Sequence, residues 1–329
     1  MSPLFWDAGP VPPSLLKFLM QGIPMMRTYM VFDIGGTYIK FAVMDEEANK
    51  LKSGKIPTPK DGLETFLQTI CDIVEEYKDT YELQGIALSS PGAVDVKTGI
   101  IGGASAIPYL HGGESMTDLL RERTGLLISI ENDANCAALA EGWLGAAKEV
   151  DYYICIVIGT GIGGSIVINQ SVLRGASLHG GEFGYMIMGG AHDKGKDPLQ
   201  STWSLSASTN ALVREVERER SMAQGSLDGE AVFRLAEAGD PIAQSVIAQF
   251  YKRLAIGIYN LQYALDPEKI LIGGGISKRR EVIEGINREL SLLKDDISTL
   301  HIEVEACQFD NDANLLGALF HFLQAVRKK

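Results

Sequence analysis

The residues with the clearest chemical potential form a glycine-rich turn, Asp33-Ile34-Gly35-Gly36-Thr37-Tyr38-Ile39-Lys40, between two apolar segments. Adjacent glycines let a backbone approach a phosphate closely, and the exposed N–H groups then bind it. The Asp33 carboxylate would repel phosphate, so we expect it to hold Mg²⁺ through water. Thr37 can offer its hydroxyl to a phosphate oxygen, whereas Lys40 either reaches phosphate or is a surface lysine. The alternative is an ordinary hairpin with a Gly-Gly turn.

Two further glycine clusters favour the phosphate interpretation. Gly159-Thr160-Gly161-Ile162-Gly163-Gly164 lies between the apolar run 154–158 and a predicted strand over 165–168. Two such hairpins that face each other can clamp a polyphosphate, with Thr160 supplying a second hydroxyl. Gly273-Gly274-Gly275 ends a predicted strand over 269–272, where an adenine and ribose can lie against backbone. None of the three clusters matches a P-loop or a dinucleotide fingerprint, because none has the required lysine or strand–glycine–helix context.

A carboxylate and an amide follow another predicted strand, over 126–131. Open α/β sheets bind ligands beyond the carboxyl ends of their strands, which is where Asp133 lies. Asp133 could accept the proton of a hydroxyl group that attacks a phosphoryl group, and Asn132 could orient that hydroxyl without adding charge. The alternative is that Asp133 only caps the following helix.

The pattern of apolar residues predicts the elements that position these groups. Strands alternate with amphipathic helices, which predicts a mostly parallel sheet with helical crossovers. A long helix is predicted from Pro241, which can start a helix, to residue 265, where Asp266-Pro267 stops it. The predicted strands cover 29–34, 38–45, 50–56, 84–89 and 126–131, and the last helix covers 315–326.

Four motifs in order resemble those of the ROK family of sugar kinases and sugar-responsive repressors: the 33–40 turn, the 131–135 segment, the 159–164 turn with 179–184, and the 273–275 cluster. The resemblance implies an α/β, two-lobed actin-like ATPase (ribonuclease H-like) fold with an inter-lobe cleft. It places the first lobe at 29–134, joined by the C-terminal helix 313–329, and the second lobe at 135–312. Residues 1–28 are then a flexible N-terminal extension.

The same resemblance implies ATP and Mg²⁺ as cofactors, a sugar as substrate and a homodimer as the assembly. Asp133 matches the catalytic base of the family, and Glu182 matches a glutamate that hydrogen-bonds the sugar. Gly103 and Ala104 match a stretch that lines the sugar pocket.

The sequence departs from the family at its structural zinc site. Tyr185 stands where most members have a zinc-ligating histidine, and residues 186–210 contain no cysteine, so we expect no zinc. The same histidine and a nearby glutamate touch the anomeric end of the sugar in relatives, and Ser204 stands at that glutamate. A pocket relaxed at the anomeric carbon can admit a glycoside, with Tyr185 or Trp203 stacked on the second ring.

We therefore expect a β-glucoside kinase acting on the 6-hydroxyl of a glucose unit, with glucokinase, fructokinase and N-acylmannosamine kinase as alternatives. A non-catalytic sugar sensor or a ROK transcriptional regulator would be a different class. A net charge of −12 over 329 residues argues against nucleic acid as a partner. Four dispersed cysteines without a CxxC motif, and no signal peptide or membrane span, favour a cytoplasmic protein with no membrane partner.

Overall fold

The computed structural model describes residues 27–189, 201–293, 300, 302–310 and 312–327. Nearly all of the predicted extension 1–28 lies outside these residues, so its predicted flexibility stays a prediction. Two five-stranded sheets and the helices packed on them make up the described part of the chain.

The first sheet carries the 33–40 turn and the strand that leads to Asp133. Its strands are β1 (Thr28–Ile34), β2 (Tyr38–Asp45), β3 (Lys50–Pro57), β4 (Leu83–Ser90) and β7 (Leu127–Asn132), in the order β3-β2-β1-β4-β7. A small hairpin of β5 (Ala93–Asp95) and β6 (Ile100–Gly102) follows β4. All of β1 is buried, as expected for a central strand.

The second sheet carries the other two glycine clusters. Its strands are β8 (Tyr152–Ile158), β9 (Ile162–Ile168), β10 (Ser171–Val172), β11 (Lys269–Gly273) and β12 (Val304–Ala306), in the order β10-β9-β8-β11-β12. In each sheet two pairings are antiparallel and two are parallel. The expectation of a mostly parallel sheet was therefore wrong, because each of the hairpins built on the 33–40 and 159–164 turns pairs with a third antiparallel strand, β3 or β10.

The helices are named in chain order: α1 (Leu63–Lys78), α2 (Met116–Thr124), α3 (Asp133–Leu144), α4 (Trp203–Ala207), α5 (Thr209–Glu219), α6 (Gly229–Glu237), α7 (Pro241–Leu265), α8 (Arg280–Leu293) and α9 (Ala313–Arg327). The bounds of α7 agree with the prediction. The side chain of Asp240 accepts a hydrogen bond from the Ala243 N–H, and Asp266 ends the helix at φ 48°. No helix within the described residues combines the length and apolar character needed to cross a membrane.

Helices α3 and α9 lie between the two sheets. Their apolar residues pack against β1, β2 and β4 of the first sheet and against β8, β9 and β11 of the second. The outer face of the first sheet is covered by α1 and α2, and that of the second by α4 to α8. The first residue of α3 is Asp133, so the candidate base lies where the two halves meet. We retain the division into lobes 29–134 and 135–312, joined by the last helix, as a proposal.

Candidate active site

Asp33 lies at the end of β1, where its carboxylate is held from three sides. It is only 7% exposed. Its Oδ1 accepts hydrogen bonds from Asn314 Nδ2 at 2.9 Å and Ser89 Oγ at 3.3 Å, and its Oδ2 lies 3.4 Å from Lys40 Nζ. The two Asp33 oxygens therefore have fixed positions, which suits a carboxylate that orients the water shell of a metal ion. Lys40, for which two roles were open, pairs with Asp33.

The backbone of the turn after β1 is held by hydrogen bonds, while Gly36 and Thr37 remain exposed. The Gly35 N–H donates to the Tyr38 carbonyl at 3.1 Å, and Thr58 Oγ1 donates to the Gly35 carbonyl at 2.6 Å. A Cβ added to Gly36 would lie 2.9 Å from Ala106 Cβ, so only glycine fits against that segment. Gly36 and Thr37 are exposed, which leaves backbone N–H groups and a hydroxyl available to a phosphate.

Asp133 does not serve as the cap of α3. Asn132 is the N-cap residue, because its side-chain oxygen accepts the Asn135 N–H at 3.1 Å. Asp133 Oδ1 accepts the Ala134 N–H at 2.8 Å and Asn132 Nδ2 at 3.0 Å. Asn132 also donates to the Gly92 carbonyl at 3.0 Å, so its side chain fixes the Asp133 carboxylate relative to the end of β4.

The electrostatic surroundings of Asp133 suit a general base. Burial raises its pKa from 3.8 to about 6; the Ala134 N–H opposes this shift, and the negative charges of Asp33 and Glu182 add to it. Asp33 from the first glycine turn and Glu182 from the loop after β10 therefore lie near enough for their charges to act on Asp133. A carboxyl group with a pKa near neutrality, inside a cleft, is typical of a catalytic acid or base.

Two adjoining cavities are lined by residues of the second and third glycine clusters. One, of about 300 Å³, is lined by Asp133, Asn314 and the turn residues Gly159, Thr160, Gly161, Ile162 and Gly163. The other, of about 380 Å³, shares Gly159 and Thr160 and extends to Gly275, Phe233 and Arg279. Together they have the size of a small-molecule site, and the turn between them can contact a ligand that spans both.

The third cluster depends on glycine at its centre. Gly274 has φ +90°, and a Cβ there would overlap the carbonyl oxygen of Ile158, the last residue of β8. This close approach brings the 273–275 cluster against the 159–164 turn. Gly273 ends β11 and does not line either cavity, whereas Gly275 lines the larger one.

The residues predicted to bind the sugar, Glu182, Gly103 and Ala104, come from separate segments of the chain. Glu182 is half-buried and near enough for its charge to act on Asp133. Gly103 has φ +80° and, like Ala104, is exposed, in the segment whose Ala106 contacts the first glycine turn.

Trp203 differs from the sequence expectation, whereas the proposed sugar-side role of its neighbour Ser204 stays a prediction. The Ser204 hydroxyl accepts the Ile162 N–H at 2.8 Å and lies 3.3 Å from the Ile162 carbonyl, so it fastens α4 to the glycine turn. Trp203 is fully buried and its Nε1 donates to the Arg253 carbonyl at 3.2 Å, so the idea that it stacks on a sugar was wrong. Tyr185 is 74% exposed and remains the candidate for stacking.

Among the described residues, no group of three or more His, Cys, Asp and Glu side chains is arranged to hold a metal ion. Residues 190–200, including His192, lie outside the described part, so the expected absence of zinc stays a prediction. His179 is exposed, and its Nδ1 lies near the Ser177 carbonyl.

Sequence reasoning missed residues that come from distant parts of the chain. Asn314, at the start of α9, joins Asp33 to the cavity that contains Asp133. Phe233 and Arg279 form a wall of the larger cavity, with the guanidinium 4.6 Å from the ring centroid. For Asn314, the signal in the sequence was a polar residue at the start of an otherwise apolar helix. Nothing in the neighbouring sequence indicated that Phe233 or Arg279 belongs to the site.

Comparison with known proteins agrees with this architecture. The family model described as "ROK family" matches residues 29–325. The β-glucoside kinase of Listeria innocua is 38% identical over 301 residues, which cover 89% of this chain and 96% of that protein.

Two solved structures have the same fold. A ROK family protein from Streptococcus pneumoniae in complex with sucrose has a TM-score of 0.83 and 37% identity, covering 92% of this chain and 100% of that one. A ROK family glucokinase from Streptomyces griseus in complex with glucose and AMPPNP has a TM-score of 0.73 and 29% identity, covering 89% and 98%. These likenesses confirm the predicted two-lobed actin-like class, and the chain belongs to the ROK family.

Proposed function

We propose that the protein transfers the γ-phosphoryl group of ATP to the 6-hydroxyl of the non-reducing glucose of a β-glucoside. The observation that carries this proposal is the Asp133 carboxylate with a pKa of about 6, in a cavity walled by a phosphate-type glycine turn. The protein is an ATP-dependent sugar kinase, as its similarity to kinases that act on sugars indicates.

The reaction follows from the placement of these groups. Asp133 accepts the proton of the 6-hydroxyl while that oxygen forms a bond to the γ-phosphorus. The bond from the γ-phosphorus to the β–γ bridging oxygen breaks, and ADP leaves. Asn132 and Glu182 hold neighbouring hydroxyls of the glucose ring, so that the 6-hydroxyl faces Asp133.

The nucleotide fits the two adjoining cavities. The adenosine would occupy the larger one, against Gly275 and Phe233, and the phosphates would cross Gly159 and Thr160 toward Asp133. Lys40 and Thr37 lie at the opposite turn. Asp33, with its oxygens already oriented, would hold Mg²⁺ through water, and that ion would neutralise charge on the phosphates.

The preference for a glycoside rests on what lies beside Glu182. Ser204 directs its hydroxyl to the Ile162 backbone, and Tyr185 presents an exposed ring where relatives with zinc have a histidine. The similar Streptococcus pneumoniae protein is in complex with sucrose, an α-glucoside, which supports a site that admits a second sugar ring. The similar Listeria innocua protein is a β-glucoside kinase, which supports the β linkage. Glucokinase is the second candidate, supported by the glucose-bound Streptomyces griseus structure.

Replacing Tyr185 by alanine should change the KM for cellobiose but not the KM for glucose. Loss of ring stacking should raise the KM for cellobiose about 3- to 10-fold and leave the KM for glucose unchanged, because glucose has no second ring. Tyr263→Ala, which removes another exposed ring on α7, is the matched control and should leave both values unchanged. An equal change for glucose and cellobiose would contradict the assigned position of the second ring.

The pH dependence of kcat/KM should follow the ionisation of Asp133. Because the base must be deprotonated, activity should rise with pH through about 6 and level off above it. The ordinary aspartate value of 3.8 would instead give constant activity between pH 5 and pH 7. Measuring kcat/KM for the sugar at saturating ATP from pH 4.5 to 8 distinguishes these profiles.

The kinase proposal is tested by ADP release with ATP, Mg²⁺ and a panel of glucose, fructose, mannose, N-acetylmannosamine, cellobiose and gentiobiose. Sugar-dependent ADP release, with phosphate located on O6 by phosphorus–proton NMR, is the expected result. Sugar binding without any ADP release would instead support a sensor. We also propose a homodimer in solution, which light scattering during gel filtration would measure.

A further inference from the structure

A fully buried glutamate lies directly behind the proposed base. Glu131, the residue before Asn132 in β7, is 0% exposed. Its Oε1 accepts the Asn132 N–H at 2.9 Å and Asn135 Nδ2 at 3.0 Å, and its Oε2 accepts a hydrogen bond from Arg174 Nη2. A buried carboxylate is costly unless paired, so these partners hold Glu131 and the start of α3 in one arrangement.

Arg174 lies at the base of the loop that carries Glu182. It follows β10 in the second sheet, and its carbonyl accepts the Gly180 N–H at 2.9 Å, which closes the loop on itself. Gly181, at φ +91°, packs so tightly on β9 that an added Cβ would lie 2.8 Å from the Gly164 carbonyl oxygen. Glu182 comes next in the chain, so its position depends on this closed loop.

We propose that the Glu131–Arg174 ion pair is a positioning pair that sets the separation between the base Asp133 and the sugar-binding Glu182. The pair joins the carboxyl end of β7 in the first sheet to the loop after β10 in the second. Its role rests on the proposed kinase function, because it matters only if Asp133 and Glu182 act on one substrate. A displacement of about 1 Å at a reacting centre can cost about 10²-fold in rate.

The surroundings of the Glu131–Arg174 pair should allow variants at these two positions to fold. On one side lies a cavity of about 350 Å³, lined by Arg174, His321, Lys97 and neighbouring residues. Water that enters this cavity beside Lys97 and His321 can solvate a shortened side chain at position 174. His321 Nδ1 lies 3.8 Å from Glu131 Oε2, so Glu131 keeps a polar neighbour from α9 when Arg174 is replaced.

The test uses Arg174→Gln, Arg174→Lys and Glu131→Gln in the full chain, with ATP and cellobiose. Arg174→Gln and Glu131→Gln should lower kcat about 10- to 100-fold. The KM for ATP should stay within about twofold, because neither residue lines the nucleotide cavity. Arg174→Lys, which keeps the charge but loses the planar fork, should recover part of the rate. The acidic limb of kcat/KM should also shift in Arg174→Gln, because the charges of Glu182 and of position 174 near Asp133 both change.

Arg220→Gln is the matched control, since it breaks an ion pair with Asp240 that lies wholly within the second lobe. It should lower the midpoint of thermal unfolding without changing kcat. If the variants at positions 131 and 174 behave like this control, with lower stability but the parent kcat and pH profile, the pair is only structural and the proposal is overturned. If Glu131→Gln fails to fold, Arg174→Gln decides alone, because full parental kcat with unchanged pH dependence in that variant would also overturn the proposal.

This outcome is separable from failure of the proposed function. The parent protein is measured in the same assay, and absence of cellobiose-dependent ADP release there would reject the proposed β-glucoside kinase function itself. The positioning proposal is judged on the ratio of variant to parent and on sugar affinity by calorimetry. Arg174→Gln should weaken cellobiose binding in the absence of ATP, because Glu182 is displaced, and unchanged affinity together with parental kcat would count against the pair.

Discussion

Asp133→Asn is expected to lower kcat by about 10²- to 10⁴-fold, the usual contribution of a general base. Asparagine has nearly the same shape, and its Oδ1 can still accept the Ala134 N–H and the Asn132 amide, so the site keeps its geometry. Only the ability to accept the substrate proton is removed. Steady-state kinetics with saturating ATP and cellobiose measures the loss, and calorimetry should find cellobiose affinity within about threefold of the parent.

The same substitution should not destabilise the fold. The pKa of Asp133 is raised in the folded protein, so ionisation of Asp133 above pH 6 opposes folding, whereas a neutral asparagine avoids this opposition. The denaturation midpoint of Asp133→Asn at pH 7.5 should therefore equal or exceed that of the parent, and the difference should vanish below about pH 4. Near-parental turnover in this variant would show that Asp133 is not the base.

Gly317→Ala is expected to destabilise the protein by about 2 kcal/mol or more. Helices α3 and α9 cross so closely that a Cβ on Gly317 would overlap the carbonyl oxygen of Cys136. Backbone cannot move aside as a side-chain rotamer can, so the helices must separate. The loss should exceed the gain of about 1 kcal/mol in helix propensity from glycine to alanine. Urea denaturation followed by far-ultraviolet circular dichroism measures the difference.

Gly112→Ala is the control for this prediction. Gly112 has φ −75°, is exposed, and has room for a methyl group, since the nearest atom would be 3.9 Å away. Its denaturation midpoint should match the parent. Because α3 starts at Asp133, Gly317→Ala should also lower kcat at a temperature where it remains folded. A variant at position 317 as stable and active as the parent would contradict the close crossing.

Much of the fold was predictable because its signals are local. The apolar runs, the glycine-rich turns and Pro241 fixed the strands, hairpins and long helix to within a few residues. The pairing of the strands was less predictable, since the alternation of strands and helices does not show that β3 and β10 each add a second antiparallel pair to a glycine-turn hairpin. The kinase class and the family followed from ordered motifs, and the comparisons confirmed both.

Site residues could be predicted from the sequence only where they belong to a motif of consecutive residues. Asp33, Asp133 and Gly159–Gly163 belong to such stretches, and the structure brings them to one cavity or its edge. Asn314 contacts Asp33 across 281 positions in the chain, and only folding reveals that contact. The prediction that Trp203 stacks on a sugar failed because the sequence does not show that this residue lies in the core, where it packs against Gly257. The assigned roles of the site residues remain predictions.

The most direct test of the central claim compares kcat/KM for cellobiose and for glucose in the parent protein, with ATP and Mg²⁺ saturating. The account predicts sugar-dependent turnover with a higher kcat/KM for cellobiose, because the exposed Tyr185 ring would contact the second sugar ring in the proposed pocket. Turnover of glucose alone would contradict the glycoside assignment, and no turnover of either sugar would contradict a glucose-type substrate.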